Sequence, residues 1–328
     1  MTARFTVLAS GSGGNATLLE TEGFGLLIDC GLHPKELTAR LAAIGASWDR
    51  IQAVVLTHTH SDHWNTRALS TLRSRRIPVY AHQAHLEHLD SASSSLASLH
   101  RAKLTRVYTD AATIEFTPKL TGRAVWVSHD SEPTFGFRFD GRDGDDGPAW
   151  SVGYAADLGC ASDELIDAFA GVDVLAIEFN HDEKMERASK RPTFLVQRVL
   201  GDRGHLSNRQ GADVTRAVAA RSGPMFPTHL VQLHLSDDCN VPLLAESIGR
   251  NALAELAPAA AVTTAKQESP SRSIALGRHE HSSRRLAARP ESPLARLTIA
   301  APRARRHPTL PGFDREAANA TAAQLAVS

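Results

Sequence analysis

Residues Thr57–His63, THTHSDH, place three histidines and an aspartate within six positions, directly behind the apolar run Ile51–Leu56, IQAVVL. A short apolar run rich in β-branched residues reads as a buried strand, so these polar side chains leave the end of a strand. In extended backbone alternate side chains point the same way, which lets His58, His60 and Asp62 share a face. His63 is turned aside where the chain bends into the following helix. Neutral imidazoles suit zinc, manganese and iron, and a neighbouring carboxylate adds the charge that a second divalent cation needs. One short loop can therefore serve two cation sites.

Outward from this loop, residues 1 to about 276 alternate short β-branched runs with longer amphipathic stretches, the pattern of a mixed α/β domain. Runs such as RFTVLA, GLLIDC, AVWVSH, WSVGYAAD, DVLAIEF and LVQLHL are expected strands. Helices are expected over Lys35–Ile44, Thr66–Arg75, Asp163–Ala170, Phe194–Leu200, Asn208–Arg221 and Leu243–Glu255, several behind Pro, Ser, Thr or Asn start signals. GRDGDDGPAW, between two of the strands, reads as an exposed hairpin loop. His82, His85, His88 and His100, in another helical stretch, are expected at the surface.

The chain has 328 residues, enough for a substantial core. No run approaches the length of a membrane span, and Cys30, Cys160 and Cys239 are odd in number and scattered, which argues against a disulfide framework. A cytoplasmic protein without membrane contact is the expectation; oligomeric state stays open. Residues 1–265 carry 25 Lys and Arg against 31 Asp and Glu, whereas residues 266–328 carry 11 against 5. Beyond Gly277 the chain turns to Arg, Pro, Ala and Ser with little periodicity. Two parts follow: a folded domain over 1–277, and a tail over 278–328 that is expected to be disordered.

The H-x-H-x-D-H order resembles the signature of the metallo-β-lactamase superfamily. The likeness continues through AVWVSHD, VGYAADLG and LVQLHLSDDCN, which supply His129, Asp157 and His234 in the order that fold requires. It implies that His58, His60 and His129 hold one metal, that Asp62, His63 and His234 hold another, and that Asp157 joins them. LASGSGGNAT, IEFNHD and GHLSN narrow the resemblance to the YycJ/WalJ-like subgroup, related to tRNase Z and RNase J, over about residues 4–276. The implied fold is α/β, an αββα sandwich of two mixed β-sheets flanked by helices, with two divalent metal ions, zinc or manganese, at one edge. The implied activity is a metal-dependent phosphodiesterase acting on nucleic acid, DNA from the 5′ end, by metal-activated water.

Asp62 and His205 are the expected catalytic residues: Asp62 to hydrogen-bond the attacking water as well as to ligate, and His205 to donate a proton to the leaving oxygen or hold the phosphate. His205 lies just before the start signal Ser207–Asn208, where backbone N–H groups favour a phosphate. Ser12, Asn15, Glu178, His181 and Ser207 are candidates for supporting or substrate contacts. GSGGN reads either as a tight turn or as a turn whose amides meet a phosphate; His181 reads as a contact, a cap or an exposed side chain. Trp64 is expected to wall the cleft. Hydrolysis of a small ester, thioester or lactone is the rival reading, since one fold carries several chemistries. A non-catalytic metal-holding protein is a third, and the complete ligand set speaks against it.

Overall fold

The structure, a computed structural model, describes residues 3–110, 112–131, 133–142, 149–223 and 227–277. The expected tail and the tip of the GRDGDDGPAW loop lie outside these residues.

The first half of the chain supplies β1 (Arg4–Ala9), β2 (Ala16–Thr21), β3 (Phe24–Ile28), α1 (Pro34–Ala43), β4 (Ala53–Val55), α2 (Thr66–Arg75), β5 (Val79–His82), α3 (Gln83–Ala92), α4 (Ser94–Arg101) and β6 (Thr105–Tyr108). Next come β7 (Thr113–Thr117), β8 (Leu120–Val127), β9 (Thr134–Arg142), β10 (Ala149–Ala155), α5 (Asp163–Phe169), β11 (Val174–Glu178), α6 (Glu183–Ala188) and α7 (Thr193–Val199). The remainder forms α8 (Asn208–Ser222), β12 (His229–Leu233), α9 (Pro242–Leu253), β13 (Ala261–Thr264) and β14 (Ile274–Ala275).

Two seven-stranded sheets result, in the orders β14-β1-β2-β3-β4-β5-β6 and β13-β12-β11-β10-β9-β8-β7. Both are mixed: β3 to β6 pair in parallel and β1 to β3 antiparallel, while β10 to β13 are parallel and β7 to β10 antiparallel. The inner faces meet in one core, where Phe5, Val7 and Leu19 of the first sheet pack with Phe135, Phe137, Phe139 and Tyr154 of the second. Strands buried on both faces read as continuous apolar runs, as β3, β4 and β11 do. α1, α2, α3 and α4 cover the outer face of the first sheet through Leu37, Leu41, Leu69, Leu72, Leu89 and Leu99. α5, α8 and α9 cover the second through Leu165, Phe169, Val214, Val218 and Ala252. The architecture is the expected αββα sandwich.

Two strands escape a reading of pattern alone, β6 and β13, and each is the edge of its sheet. An edge strand buries few side chains, and β6 follows the burial pattern half-buried, exposed, exposed, buried, so neither alternation nor an apolar run marks it. His85 overturns its expected surface position. It is 1% exposed, its Nε2 meets the Pro133 carbonyl at 2.8 Å, and burial pushes its pKa down to about 4. No helix among the described residues is long and apolar enough to cross a membrane, and the three cysteines are free.

The last strand, β14, pairs with β1, and the Leu276 amide donates to Ala3 at 2.8 Å. Truncation after Gly277 is therefore expected to leave cooperative unfolding intact, with a thermal midpoint within a few degrees of the full chain; loss of cooperativity in a circular dichroism melt would place the boundary elsewhere.

Candidate metal centre

The carboxyl ends of β3, β4, β8, β10, β11 and β12 converge at one rim of the sandwich, and each delivers an ionisable side chain within three residues of its last strand residue: Asp29, His58, His129, Asp157, Glu178 and His234. The loop after β4 adds His60, Asp62 and His63. It is braced from behind. Asn15 donates its backbone N–H to the Asp62 carbonyl at 2.7 Å and its side-chain amide to Asp62 Oδ2 at 3.1 Å. At Gly31 a Cβ would stand 1.8 Å from the Asp62 carbonyl oxygen, so only glycine lets the two segments approach this closely.

His58, His60 and His129 form one cluster. His60 Nδ1 lies 3.2 Å from His58 Nε2 and 3.2 Å from His129 Nε2. Nδ1 of His129 faces the Gly204 carbonyl at 2.8 Å; a carbonyl can only accept, so this nitrogen carries the proton and Nε2 presents a lone pair. Burial lowers the pKa of all three imidazoles, most strongly at His58. Three neutral rings thus aim nitrogen at one point.

Asp62, His63 and His234 form a second cluster, with Asp62 Oδ2 at 3.3 Å from His234 Nε2 and 3.5 Å from His63 Nε2. Asp157 stands between the two, its Oδ2 2.8 Å from His63 Nε2 and its Oδ1 3.2 Å from His234 Nδ1, while grouping also with His58. The ring of His63 is set by Asp29, which accepts from Thr57 N–H at 2.9 Å, Thr57 Oγ1 at 2.9 Å and His63 Nδ1 at 2.8 Å. Because Nδ1–H points at Asp29, neutral His63 turns a lone pair on Nε2 toward a carboxylate oxygen. Two acceptors at 2.8 Å repel unless positive charge lies between or beside them. The Asn15 side-chain amide stands 3.0 Å from His63 Nε2, and either a proton on that nitrogen or a divalent cation beside it supplies the charge.

The titration behaviour shows the same need for positive charge. Burial opposes charge on His63 and His234. Yet Asp29, Asp157 and Asp62 outweigh it at His63, and Asp157, Asp62 and Glu178 push His234 up to about 10. Asp62 is held far below the usual carboxylate range, since His63 and His234 outweigh its burial, and Asp157 is depressed by His234 and His63 in the same way. The donors are imidazole nitrogens and carboxylate oxygens, the set that zinc and manganese accept.

Glu178 closes the base of the site. Fully buried at the end of β11, it accepts from the Leu158 amide at 3.1 Å and the Leu206 amide at 2.9 Å on Oε2. Its Oε1 faces His205 Nδ1 at 2.7 Å and His234 Nδ1 at 3.2 Å. A carboxylate in an apolar strand end needs such partners. Burial works against a charged His205, but the Glu178 carboxylate and its hydrogen bond prevail and raise the pKa above the ordinary imidazole value. His205 is one-fifth exposed and stacks on His234 with ring centroids 5.1 Å apart. Asp157, Glu178, His205 and His234 also lie close enough together to form a ligand group.

Other expected residues are placed differently. Ser12 is exposed in the turn after β1, where the amides of Gly11, Gly13 and Gly14 are taken by Asn15 Oδ1, Gln267 Oε1 and the Gly11 carbonyl; two of these bonds close the turn and the third ties it to the segment after β13. Ser207 caps α8, its Oγ accepting from the Gln210 amide at 3.3 Å. His181 is 0% exposed, which removes the exposed-side-chain reading, and Asp182 rather than His181 caps α6. Trp64 donates to the Thr59 carbonyl at 2.9 Å and packs on the first sheet's outer core, bracing the ligand loop.

Three participants are absent from the sequence reading. Asp29 carries the same signal as Glu178, an acidic residue closing an apolar run, in LLID. Asn180, inside IEFNHD, donates to the His234 carbonyl at 2.7 Å and holds that residue at φ +54°, a left-handed conformation. Asp130 lies 3.3 Å from His60 Nε2 and pairs with Arg198; nothing in its local sequence marks it.

A family profile described as "Beta-lactamase superfamily domain" matches residues 25–230. The chain is 30% identical over 259 residues to a protein of Streptococcus pneumoniae serotype 2 (strain D39) named exodeoxyribonuclease WalJ, covering 77% of this chain and 88% of that one. It is 27% identical over 248 residues to exodeoxyribonuclease YycJ of Bacillus anthracis, covering 75% and 87%. Among solved structures, the metallo-β-lactamase fold protein YhfI of Bacillus subtilis superposes with a TM-score of 0.58 at 17% identity, covering 83% of this chain and 99% of that chain; at that identity the likeness speaks for the fold.

Proposed function

We propose that this chain, which belongs to the β-lactamase superfamily and is a hydrolase, is a dinuclear metal-dependent phosphodiesterase that degrades DNA from the 5′ end. The observation that carries the reading is the pairing of His205 with Glu178 beside two clusters of inward-facing ligands. His58, His60 and His129 would hold one cation, Asp62, His63 and His234 the other, and Asp157 would touch both. Four carboxylates, Asp29, Asp62, Asp157 and Glu178, crowd the site, and two divalent cations balance them. The names of the two relatives, both exodeoxyribonucleases, support nucleic acid as the substrate class.

The cations, zinc or manganese, supply a lowered pKa for water and positive charge on the phosphate. The protein's own groups do the rest. Asp62, fixed by Asn15 and kept ionised, accepts a hydrogen bond from the attacking water and aims it. Glu178 takes the Nδ1 proton of His205 as a hydrogen bond, which leaves Nε2 on the opposite edge of the ring to meet the substrate. Held in its protonated form, His205 donates that Nε2 proton to the departing oxygen or binds the scissile phosphate. The left-handed backbone at His234, tied by Asn180 and by the Ser10 hydroxyl accepting from its amide at 2.8 Å, keeps the second cluster in register.

The test is incubation of the manganese-loaded protein with end-labelled single- and double-stranded DNA and RNA beside a generic thioester. DNA shortened stepwise from its 5′ end is the expected product, with the thioester untouched. Thioester hydrolysis with every nucleic acid intact would replace this reading with that of a small-ester hydrolase.

A further inference from the structure

Helix α7 sits on the rim of the centre and takes no part in the chemistry described above. Its carboxyl end is locked to the loop of His205: the His205 amide donates to the Val199 carbonyl at 3.0 Å, and at Gly204 a Cβ would stand 2.1 Å from the Arg198 carbonyl oxygen. From this helix Arg198, with about half of its side chain exposed, reaches Asp130, whose Oδ1 is 3.3 Å from His60 Nε2. Four residues earlier Phe194 is 72% exposed. Residues four apart share one helix face, so an exposed aromatic ring lies within one turn, ~6 Å of rise, of the cation that reaches Asp130 beside His60.

Charge distribution points the same way. Residues 179–204 carry six basic side chains against four acidic ones, in a body where residues 1–265 are acidic overall. The basic segment lies between β11, which ends in Glu178, and His205. A polyanion approaching an acidic body meets its favourable potential here. Exposed aromatic rings next to cations are how single strands are held without sequence preference: bases stack on the ring, and arginine forks onto phosphate.

We propose that α7 is a docking platform for single-stranded nucleic acid, with Phe194 stacking on a base and Arg198 exchanging Asp130 for a backbone phosphate as the strand enters. The platform rests on the phosphodiesterase reading above and names how that site grips its substrate. Asp130 parks the guanidinium while the cleft is empty, and its own charge is then released toward His60 and His129. Stacking tolerates any base, so the platform suits a processive shortening of strands and discriminates against small diesters, which have no base to stack.

The experiment uses the full-length, metal-loaded protein. Binding of a fluorescein-labelled single-stranded oligothymidylate with hydrolysis-resistant phosphorothioate linkages is followed by anisotropy. Phe194→Ala is expected to weaken it roughly 5- to 100-fold, and Phe194→Trp to restore it. Val107→Ala, which trims an exposed apolar side chain on edge strand β6, should bind as the parent does. In turnover, Phe194→Ala should raise KM for an oligonucleotide and lower the selectivity for it over bis(p-nitrophenyl) phosphate. Unchanged oligonucleotide affinity in Phe194→Ala would overturn the platform, as would a change in sedimentation coefficient with binding intact, which would assign the ring to a protein contact. A parent that binds the oligonucleotide through Phe194 yet cleaves no nucleic acid would overturn the activity reading while leaving the platform standing, so the two fail separately.

Discussion

His234→Ala is expected to release one of two divalent cations per chain and to lower hydrolysis by at least about 10³-fold, the loss of several kcal/mol of charge stabilisation. His234 lies directly beyond β12, with Nε2 3.3 Å from Asp62 and Nδ1 3.2 Å from Asp157. Removing the ring opens the cluster it shares with Asp62 and His63 and leaves His58, His60 and His129 untouched, so one cation should remain. Elemental analysis of parent and variant, each purified in zinc or manganese, reads the result as about two against about one. Two cations retained in the variant would remove His234 from the ligand set. A parent holding one cation while fully folded would count against the dinuclear centre as a whole.

His205→Ala should do the opposite: both cations stay, the melting curve moves little, and turnover falls by roughly 10²- to 10⁴-fold, the range for losing a positioned acid or a donor to developing negative charge. The contrast rests on geometry. His205 turns Nδ1 to Glu178 at 2.7 Å and lies 3.5 Å from Asp157 through that same nitrogen, so the edge of the ring that faces Glu178 is already engaged. It is also more exposed than His234, as a group that meets substrate must be. Loss of a cation in His205→Ala with none lost in His234→Ala would exchange the two residues, since Asp157, Glu178, His205 and His234 are close enough to ligate together. Full activity on nucleic acid in His205→Ala would reduce the residue to a structural neighbour of the α8 start.

How much of this was legible beforehand follows from how far each feature depends on distant chain. The ligand loop is local: a short apolar strand and the turn behind it, in which the His63 amide donates to the His60 carbonyl, keep His58, His60, Asp62 and His63 near one another. The expected shared face of His58, His60 and Asp62 does not form, because the turn carries Asp62 to the side of His63. The buried strands are local too, because a strand covered on both faces must be apolar throughout. Glu178 stands out for a related reason, as a carboxylate closing such a run. β6 and β13 are not legible, since an edge strand is specified by the neighbour it pairs with. His85 was misread because its burial comes from the Pro133 segment and from Phe135, Tyr108 and His82 around its ring.

Pattern along the chain determined a mixed α/β domain and the chemistry those residue types can support. The sandwich and the order of the ligand-bearing segments followed from the likeness of H-x-H-x-D-H and the segments behind it to the superfamily signature. Tertiary structure alone decided which nitrogen of His63 and of His129 faces inward, because that is set by partners far away in sequence, Asp29 and the Gly204 carbonyl, and it fixed the backbone of His234 through Asn180 and Ser10. It also decided that α7 stands over the rim with Phe194 uncovered. A tautomer and an exposed ring are properties of what lies opposite a side chain, and only the packed sheets bring that opposite wall into being.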